Sequence, residues 1–289
     1  IDRTWNPTRQ HELRAAAART EPHWGERSGD RVAVQLDEVA DAWRGAARAV
    51  CLAGGNAASR ACLEHTRARI DDLVAQVLRG EPPLLVSAVA RAELLPIPSA
   101  CVDAPDLSAW RDPPDDREVV EALGAAERHL GALTVPGEPS EYRDASAHAR
   151  ATAAAAIASA EAIGHEPWLG RALLVAGRIE LGEGDHVRAE SLLRRGLAMS
   201  RRAGDSPTSA AIAADLVYAM SRDNDRIREA EDLASEAAGM IEALGRPPLL
   251  HARLLAHRAS ALARSKGQQH GDAVSLHEEV ATELRATLG

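Results

Sequence analysis

Phenylalanine is absent from this chain of 289 residues, and Tyr and Trp together make up only 2% of it. Hydrophobic residues still account for 45%, so a sizeable core must consist mainly of Ala, Leu, Val and Ile. Such side chains suit close helix packing better than a β-sandwich, which favours aromatic and β-branched residues. No segment shows sustained alternation of apolar and polar residues between hairpin turns. The sequence therefore predicts an all-α fold.

Basic residues are outnumbered, 34 against 43 acidic ones, which gives a net charge of −9, and Lys266 is the only lysine. Without a clustered basic stripe, an acidic chain is a poor candidate for binding nucleic acid, so we expect no nucleic-acid partner. The chain also lacks a run of the ~20 apolar residues that crosses a membrane. It begins with Ile rather than Met, so we expect it to be a fragment of a longer protein.

The motifs of common enzymes are missing as well. The chain contains no GxGxxG loop, HRD or DFG of protein kinases, no GxxxxGK[ST] phosphate loop, no GxSxG elbow and no HExxH zinc motif. The adjacent carboxylates Asp71 and Asp72 diverge on a helix, and we expect them on a solvated face. The sequence predicts a non-catalytic chain without cofactor or metal, with an active site dispersed along the sequence as the alternative.

Cysteine is scarce: the chain has only Cys51, Cys62 and Cys101. No CxxC motif occurs, and the spacing of the first two is no zinc pattern. An odd number leaves at least one thiol unpaired within the chain. From the residues alone, three buried thiols and one disulfide remain alternatives.

In the first half, turn residues delimit several helices. Asn6-Pro7 is typical of an N-cap followed by proline at the first helical position. Two long helices should then be separated by the turn Gly54-Gly55-Asn56, with the second ending at Gly80, so that they form an antiparallel hairpin. Further helices are expected from Pro82-Pro83 to about Leu95, and from Pro113-Pro114-Asp115.

The second half repeats with a period of 40 to 44 residues. Its turns share the pattern Gly, two residues, Pro, and the prolines are Pro167, Pro207 and Pro248. Each unit is predicted to be two antiparallel helices, because a fixed period of this length indicates stacked supersecondary units. Near the start of the second helix each unit carries a small residue, where two helices can cross closely. These are Ala145, Ala189, Ala230 and Ala273.

These residues resemble the tetratricopeptide repeat. The clearest unit has Gly177 on its first helix, Gly184-Asp185 at the turn, Ala189 twelve residues after the glycine, and then Leu192-Leu193. The resemblance implies a right-handed α-solenoid with longer helices than usual, because the ordinary unit of this repeat has about 34 residues. We accordingly expect a helical-hairpin N-terminal domain over residues 1–112 and a tetratricopeptide-like domain over 113–289.

In that family the first helices of the units line a concave groove that holds peptide segments. Arg171 and Arg178 are seven residues apart and therefore roughly aligned on one helix, and arginine can grip carboxylates through its planar fork. Further polar residues fall on similar faces of the next two units, and an ordinary solvated helix face is the alternative for all of them. The candidate groove residues are Arg171, Arg178, Asp215, Arg222, His257 and Arg264.

A second resemblance concerns the first half. Trp5-Asn6-Pro7, Cys62-Leu63-Glu64 and the stretch 94–103 resemble a region of myxobacterial-type serine/threonine protein kinases that lies between the kinase domain and tetratricopeptide repeats. This resemblance implies a sensor region that binds a partner protein or peptide, with possible self-association. It also implies a membrane contact only through a segment outside these residues, and an extracytoplasmic location, with a cytoplasmic one as the alternative.

An oxidising compartment would favour disulfides. On the same resemblance, Cys51 and Cys62 flank the turn of the hairpin and would pair, while Cys101 would pair with a cysteine that precedes residue 1. A different function class remains open, namely the ligand-sensing helical-repeat arm of a transcription regulator. An apolar pocket between the two halves would favour that alternative.

Overall fold

A computed structural model describes residues 1–55, 57–80, 82–103, 125, 139–264 and 270–288 of the chain. Helices joined by turns make up these ranges, and no strand occurs among them. The predicted all-α class is confirmed. No helix in the described ranges is sufficiently long and apolar to span a membrane. The first half contains α1 Pro7–Thr20, α2 Gly25–Leu52, α3 Ala57–Leu78, α4 Pro82–Glu93 and α5 Ala100–Asp103.

The helix boundaries in the first half follow the turn residues. The side chain of Asn6 accepts hydrogen bonds from the backbone N–H groups of Thr8 and Arg9, and Pro7 is the first residue of α1. The α2 helix ends just before Gly54, whose φ of 75° lies in the left-handed region that glycine adopts at little cost. Beyond this turn α3 packs against α2, so the predicted hairpin is present.

The second half is built from helices that pack in neighbouring pairs. They are α6 Pro139–Ile163, α7 Glu166–Glu183, α8 His186–Arg202, α9 Ser206–Ser221, α10 Ile227–Ala243, α11 Pro248–Arg264 and α12 His270–Leu288. The pairs are α7 with α8, α9 with α10, and α11 with α12, so the architecture is repeat-like. A short 3₁₀ helix, Asn224–Arg226, joins α9 to α10.

Each Gly-x-x-Pro turn separates one pair from the next. Gly164, Gly204 and Gly245 have φ values of 66°, 66° and 78°, which terminate α6, α8 and α10. The first two turns also supply an N-cap for the following helix: His165 Nδ1 accepts from the N–H of Trp168, and Asp205 caps α9. The third turn has no such side chain, because Arg246 and Pro247 precede α11.

Small residues allow the two helices of a pair to approach closely. A Cβ atom added at Gly177 of α7 would lie 2.6 Å from Cγ of Leu193 on α8, so only glycine fits there. The predicted small residues Ala189, Ala230 and Ala273 are buried near the start of α8, α10 and α12. The side chain of Ala145 lies outside the described residues.

Two predictions concern residues that the structure does not describe. The expected domain boundary between residues 112 and 113 lies in the stretch 104–124, outside the described residues. The helix start expected at Pro113-Pro114-Asp115 lies in the same stretch.

The predicted pairing of Cys51 with Cys62 is wrong. Cys62 is joined to Cys101, with their Cα atoms 5.6 Å apart, and Cys51 is a free, exposed thiol. Cys51 points to solvent from the last turn of α2, whereas Cys62 faces an apolar cluster of α2, α3 and α5 that contains Cys101. The pairing of Cys101 with a cysteine before residue 1 is wrong for the same reason. The disulfide connects α3 to α5.

Candidate functional site

A buried carboxylate lies at the centre of the paired helices. Asp215, in the middle of α9, is fully buried, and a buried carboxylate must be paired to remain ionised. Nε of Arg178 on α7 donates to its Oδ2 at 2.6 Å, and Nε of Arg253 on α11 donates to its Oδ1 at 2.5 Å. Three helices from three successive pairs therefore meet at one charge.

His257 completes this arrangement from α11, with Nε2 3.2 Å from Asp215 Oδ1. Burial on its own would raise the pKa of Asp215, but the charges of Arg178 and Arg253 and the hydrogen bond with His257 hold that pKa well below its usual range. Burial lowers the pKa of His257, and Asp215 opposes this effect. Asp215 is thus an anion that orders two guanidinium groups.

Rings and a further guanidinium flank this centre. The ring of Tyr218 lies 5.0 Å from that of His257 and 5.8 Å from that of His186, centroid to centroid, and the guanidinium carbon of Arg222 lies 5.6 Å from the Tyr218 centroid. Burial lowers the pKa of His186, and the positive charges of Arg222 and Arg264 lower it further.

Arg264 closes the cluster at the end of α9. Its Nε donates to the backbone carbonyl of Ser221 at 3.2 Å, and its Nη2 to that of Arg222 at 3.3 Å. A cation at a helix C-terminus satisfies carbonyls that have no partner within the helix and complements the helix dipole. We call the surface formed by these residues the recognition face: Arg178, His186, Asp215, Tyr218, Arg222, Arg253, His257 and Arg264.

The recognition face carries more positive than negative charge. It contains four arginines and one fully buried carboxylate, Asp215, which pairs with Arg178 and Arg253, and Asp185 of the α7–α8 turn lies at its edge. This excess contrasts with the net charge of −9 of the whole chain. A local potential of this sign attracts anionic groups such as carboxylates.

Five of the six candidate groove residues lie on this face, and the sixth lies elsewhere. Arg171 is buried, and its Nη2 is 3.7 Å from Oδ2 of Asp72 on α3. Asp72 is also 3.3 Å from Nη2 of Arg91, so it is not on a solvated face as the sequence suggested. The first half of the chain covers this end of α7.

Contacts between the two halves continue along the N-terminal ends of α7 and α9. Trp168 Nε1 on α7 donates to Nδ1 of His65 on α3 at 2.9 Å, and the ring of His165 stacks on that of His65 at 5.4 Å. Nη1 of Arg69 is 3.6 Å from Oδ2 of Asp205, the N-cap of α9. The first half of the chain therefore covers the N-terminal ends of these helices, whereas the recognition face follows their C-terminal halves.

Sequence reasoning missed three residues of the recognition face, namely His186, Tyr218 and Arg253. Arg253 precedes His257 by one helical turn, and Tyr218 follows Asp215 by three residues, so both share a face with a residue that was selected. That spacing is the signal that could have identified them. The contacts of the first half with α7 and α9 carry no comparable signal, because their partners lie far apart in sequence.

Among the residues that the structure describes, no three His, Cys, Asp or Glu side chains converge in a way that could hold a metal ion. Comparisons with protein families, curated proteins and solved structures found no match to this chain.

Proposed function

We propose that this chain is a non-catalytic recognition module whose recognition face binds an acidic segment of a partner protein. The single observation that carries the proposal is the convergence of Arg178 and Arg253 on Asp215 from helix pairs on either side of it, with Arg222 over the ring of Tyr218 on the same helix as Asp215. Guanidinium groups bind carboxylates in a planar, bidentate geometry, and tyrosine adds apolar contact area with little loss of side-chain entropy.

The buried Asp215 prepares the face for such a ligand. Its carboxylate fixes the Nε groups of Arg178 and Arg253, so less conformational entropy is lost when a ligand binds. The side chain of Arg253 is still 38% exposed, and Arg222 is exposed next to the ring of Tyr218. These two arginines are the groups that we expect to touch the ligand first.

We infer in addition how the helix pairs are arranged and to which kind of protein the chain belongs. A tetratricopeptide-like right-handed solenoid is supported by the helix pairs, by the close approach at Gly177 and by the regular glycine–proline turns. The order of motifs in the first half supports a role as the regulatory region of a bacterial serine/threonine protein kinase. The binding assay below does not depend on that setting.

The proposal is tested by fluorescence anisotropy with the full chain and two labelled peptides, one rich in Glu and the other with Gln at the same positions. The Glu peptide should bind at least about tenfold more tightly, and its affinity should fall with added salt. Arg222→Glu should weaken this binding at least about tenfold.

Arg48→Glu is the matched control, because it makes the same charge change at an exposed position of α2. It should leave the affinity unchanged within about twofold. Equal binding of the two peptides, or equal losses in Arg222→Glu and Arg48→Glu, would contradict the proposal.

A further inference from the structure

A cavity lies between the two halves of the chain, and none of the residues of the recognition face lines it. It lies between α2, α4 and the first residue of α11 and has a volume of about 260 Å³. Half of its lining residues are apolar and half are polar or charged, so it offers contacts to an apolar body and to a charged group. The lining residues are Asp30, Arg31, Val34, Gln35, Val89, Ala92, Glu93 and Pro248.

Glu93, the last residue of α4, binds the N-terminus of α11 across this cavity. Its Oε1 accepts from the backbone N–H of Leu249 at 3.1 Å, and its Oε2 accepts from that of Leu250 at 3.0 Å. Since Arg246 and Pro247 offer no side-chain acceptor, Glu93 provides the N-cap that α11 lacks. The contact joins the first half of the chain to the third helix pair.

Among the residues that the structure describes, the Glu93 carboxylate forms no salt bridge, although the charge of Arg31 acts on it. Within the described part of the chain, no basic side chain lies within salt-bridge distance of Glu93, because Arg31 donates instead to the backbone carbonyl of Ala286 at 2.9 Å. The other acid of the cavity, Asp30, is already paired with Arg14 at 2.7 Å. Burial raises the pKa of Glu93 to about 7, and the charge of Glu283 adds to this increase. The hydrogen bonds from the two backbone N–H groups and the charge of Arg31 lower the pKa in part.

We infer that this junction cavity binds a small organic ammonium ion, with its charged group on Glu93 and its apolar body against Val34, Val89 and Pro248. A cation placed there supplies the charge that a half-buried carboxylate needs and fills space between the two halves. Because the ligand touches α2, α4 and α11 together, it stabilises their docked arrangement. The site does not depend on the proposed peptide binding, and through it a small ligand can stabilise the contact between the two halves.

Benzylammonium is a suitable probe, since it joins an ammonium group to a compact apolar ring. Calorimetric titration of the full chain should give saturable binding with a Kd on the order of 1 mM. The ligand should also raise the thermal midpoint in proportion to the logarithm of its concentration. Benzyl alcohol has the same shape without the charge, and benzoate has the opposite charge, so both should bind at least about tenfold more weakly.

Two variants locate the ligand. Glu93→Gln removes the charge and keeps an oxygen that can accept from α11, and Val34→Trp fills the cavity from a half-exposed position on α2. Each should weaken benzylammonium binding at least about tenfold. Val187→Trp, at an exposed position of α8, is the control and should bind as the wild type does.

Each remaining outcome overturns the inference. If the wild type shows no saturable binding, or if benzyl alcohol or benzoate binds equally well, the cavity is not a site for an ammonium ion. If Val34→Trp binds as tightly as the wild type, the ligand lies outside the cavity. If Glu93→Gln does so, the Glu93 carboxylate does not contact the ligand. Circular dichroism of each variant, recorded first, confirms that binding is compared between folded proteins.

Discussion

Asp215 joins three helices of the second half through its ion pairs. Its negative charge is shared by Arg178, whose side chain is 15% exposed, and by Arg253, whose side chain is 38% exposed. Its removal therefore leaves one largely buried guanidinium group beside a neutral side chain, whereas the other can turn towards solvent. We predict that Asp215→Asn lowers the free energy of unfolding by about 3 kcal/mol, the lower end for a broken buried pair. Urea denaturation followed by circular dichroism measures this loss.

Glu64→Gln is the control for Asp215→Asn, because Glu64 forms an exposed pair with Arg67 on α3. Exposed pairs contribute little to stability, so this change should leave the unfolding curve nearly unchanged. Similar small effects of both substitutions would show that Asp215 is not the centre of the arrangement.

His165 gives the stability of the chain a dependence on pH. Burial lowers the pKa of His165 to about 4, below the ordinary value of about 6.5 that it regains on unfolding. The folded chain therefore binds fewer protons than the unfolded chain between these values. This contribution to stability is complete above pH 6.5 and is lost as the pH falls towards 4.

The variant His165→Asn removes this titration and keeps a good N-cap for α7. Between pH 7 and pH 4, the wild type should lose up to about 3 kcal/mol more unfolding free energy than the variant. Denaturant titrations at the two pH values measure the difference. Parallel losses in both proteins would show that His165 titrates normally in the folded state.

At the scale of elements, the disulfide fixes the short helix α5 to α3. Cys62 and Cys101 are 39 residues apart in sequence, and closing a loop of this length in the unfolded chain stabilises the folded chain by about 4 kcal/mol. Cys101→Ser should therefore destabilise oxidised protein by roughly this amount more than reduced protein, in which it only places a hydroxyl group in an apolar cluster. Thermal denaturation with and without reductant measures both effects.

Cys51→Ser separates this pairing from the one that the sequence suggested. Because Cys51 is exposed and free, its substitution should leave the thermal midpoint of oxidised protein unchanged. A loss as large as that in Cys101→Ser would instead favour a bond between Cys51 and Cys62.

The elements themselves could be predicted to a large extent from the sequence. The glycine–proline turns at Gly164, Gly204 and Gly245 identified the helix pairs, because a left-handed residue followed by proline ends one helix and begins the next. The small residues Gly177 and Ala189 predicted where α7 and α8 approach each other closely. Both signals are local, and local signals can be read without knowing the fold.

At the scale of the whole molecule, the sequence was less informative. The contacts of Arg69 with Asp205 and of Glu93 with the start of α11 join residues more than a hundred positions apart, and no periodicity marks such pairs. The choice of Cys101 as the partner of Cys62 depends on which face of α3 is covered by α5. These features follow from how the halves dock, so spacing within each half could not predict them.

In the candidate site, too, helical spacing could be predicted from the sequence, whereas contacts between the two halves could not. Arg178, Asp215 and His257 were selected because they occupy similar faces of successive units, and these three do meet. Arg171, chosen by the same rule, is covered by α3 and pairs with Asp72. Helical spacing thus identified the face, but only the docked first half determines how much of that face is available.

The most direct test of our central claim is photo-crosslinking of the Glu-rich peptide, carrying a diazirine, to the full chain, followed by mass spectrometry. If the peptide binds at the recognition face, crosslinks should form to segments that include Tyr218, Arg222 and Arg253, and they should be lost in Arg222→Glu. Crosslinks confined to α2 or to the exposed face of α12, unchanged in that variant, would contradict it.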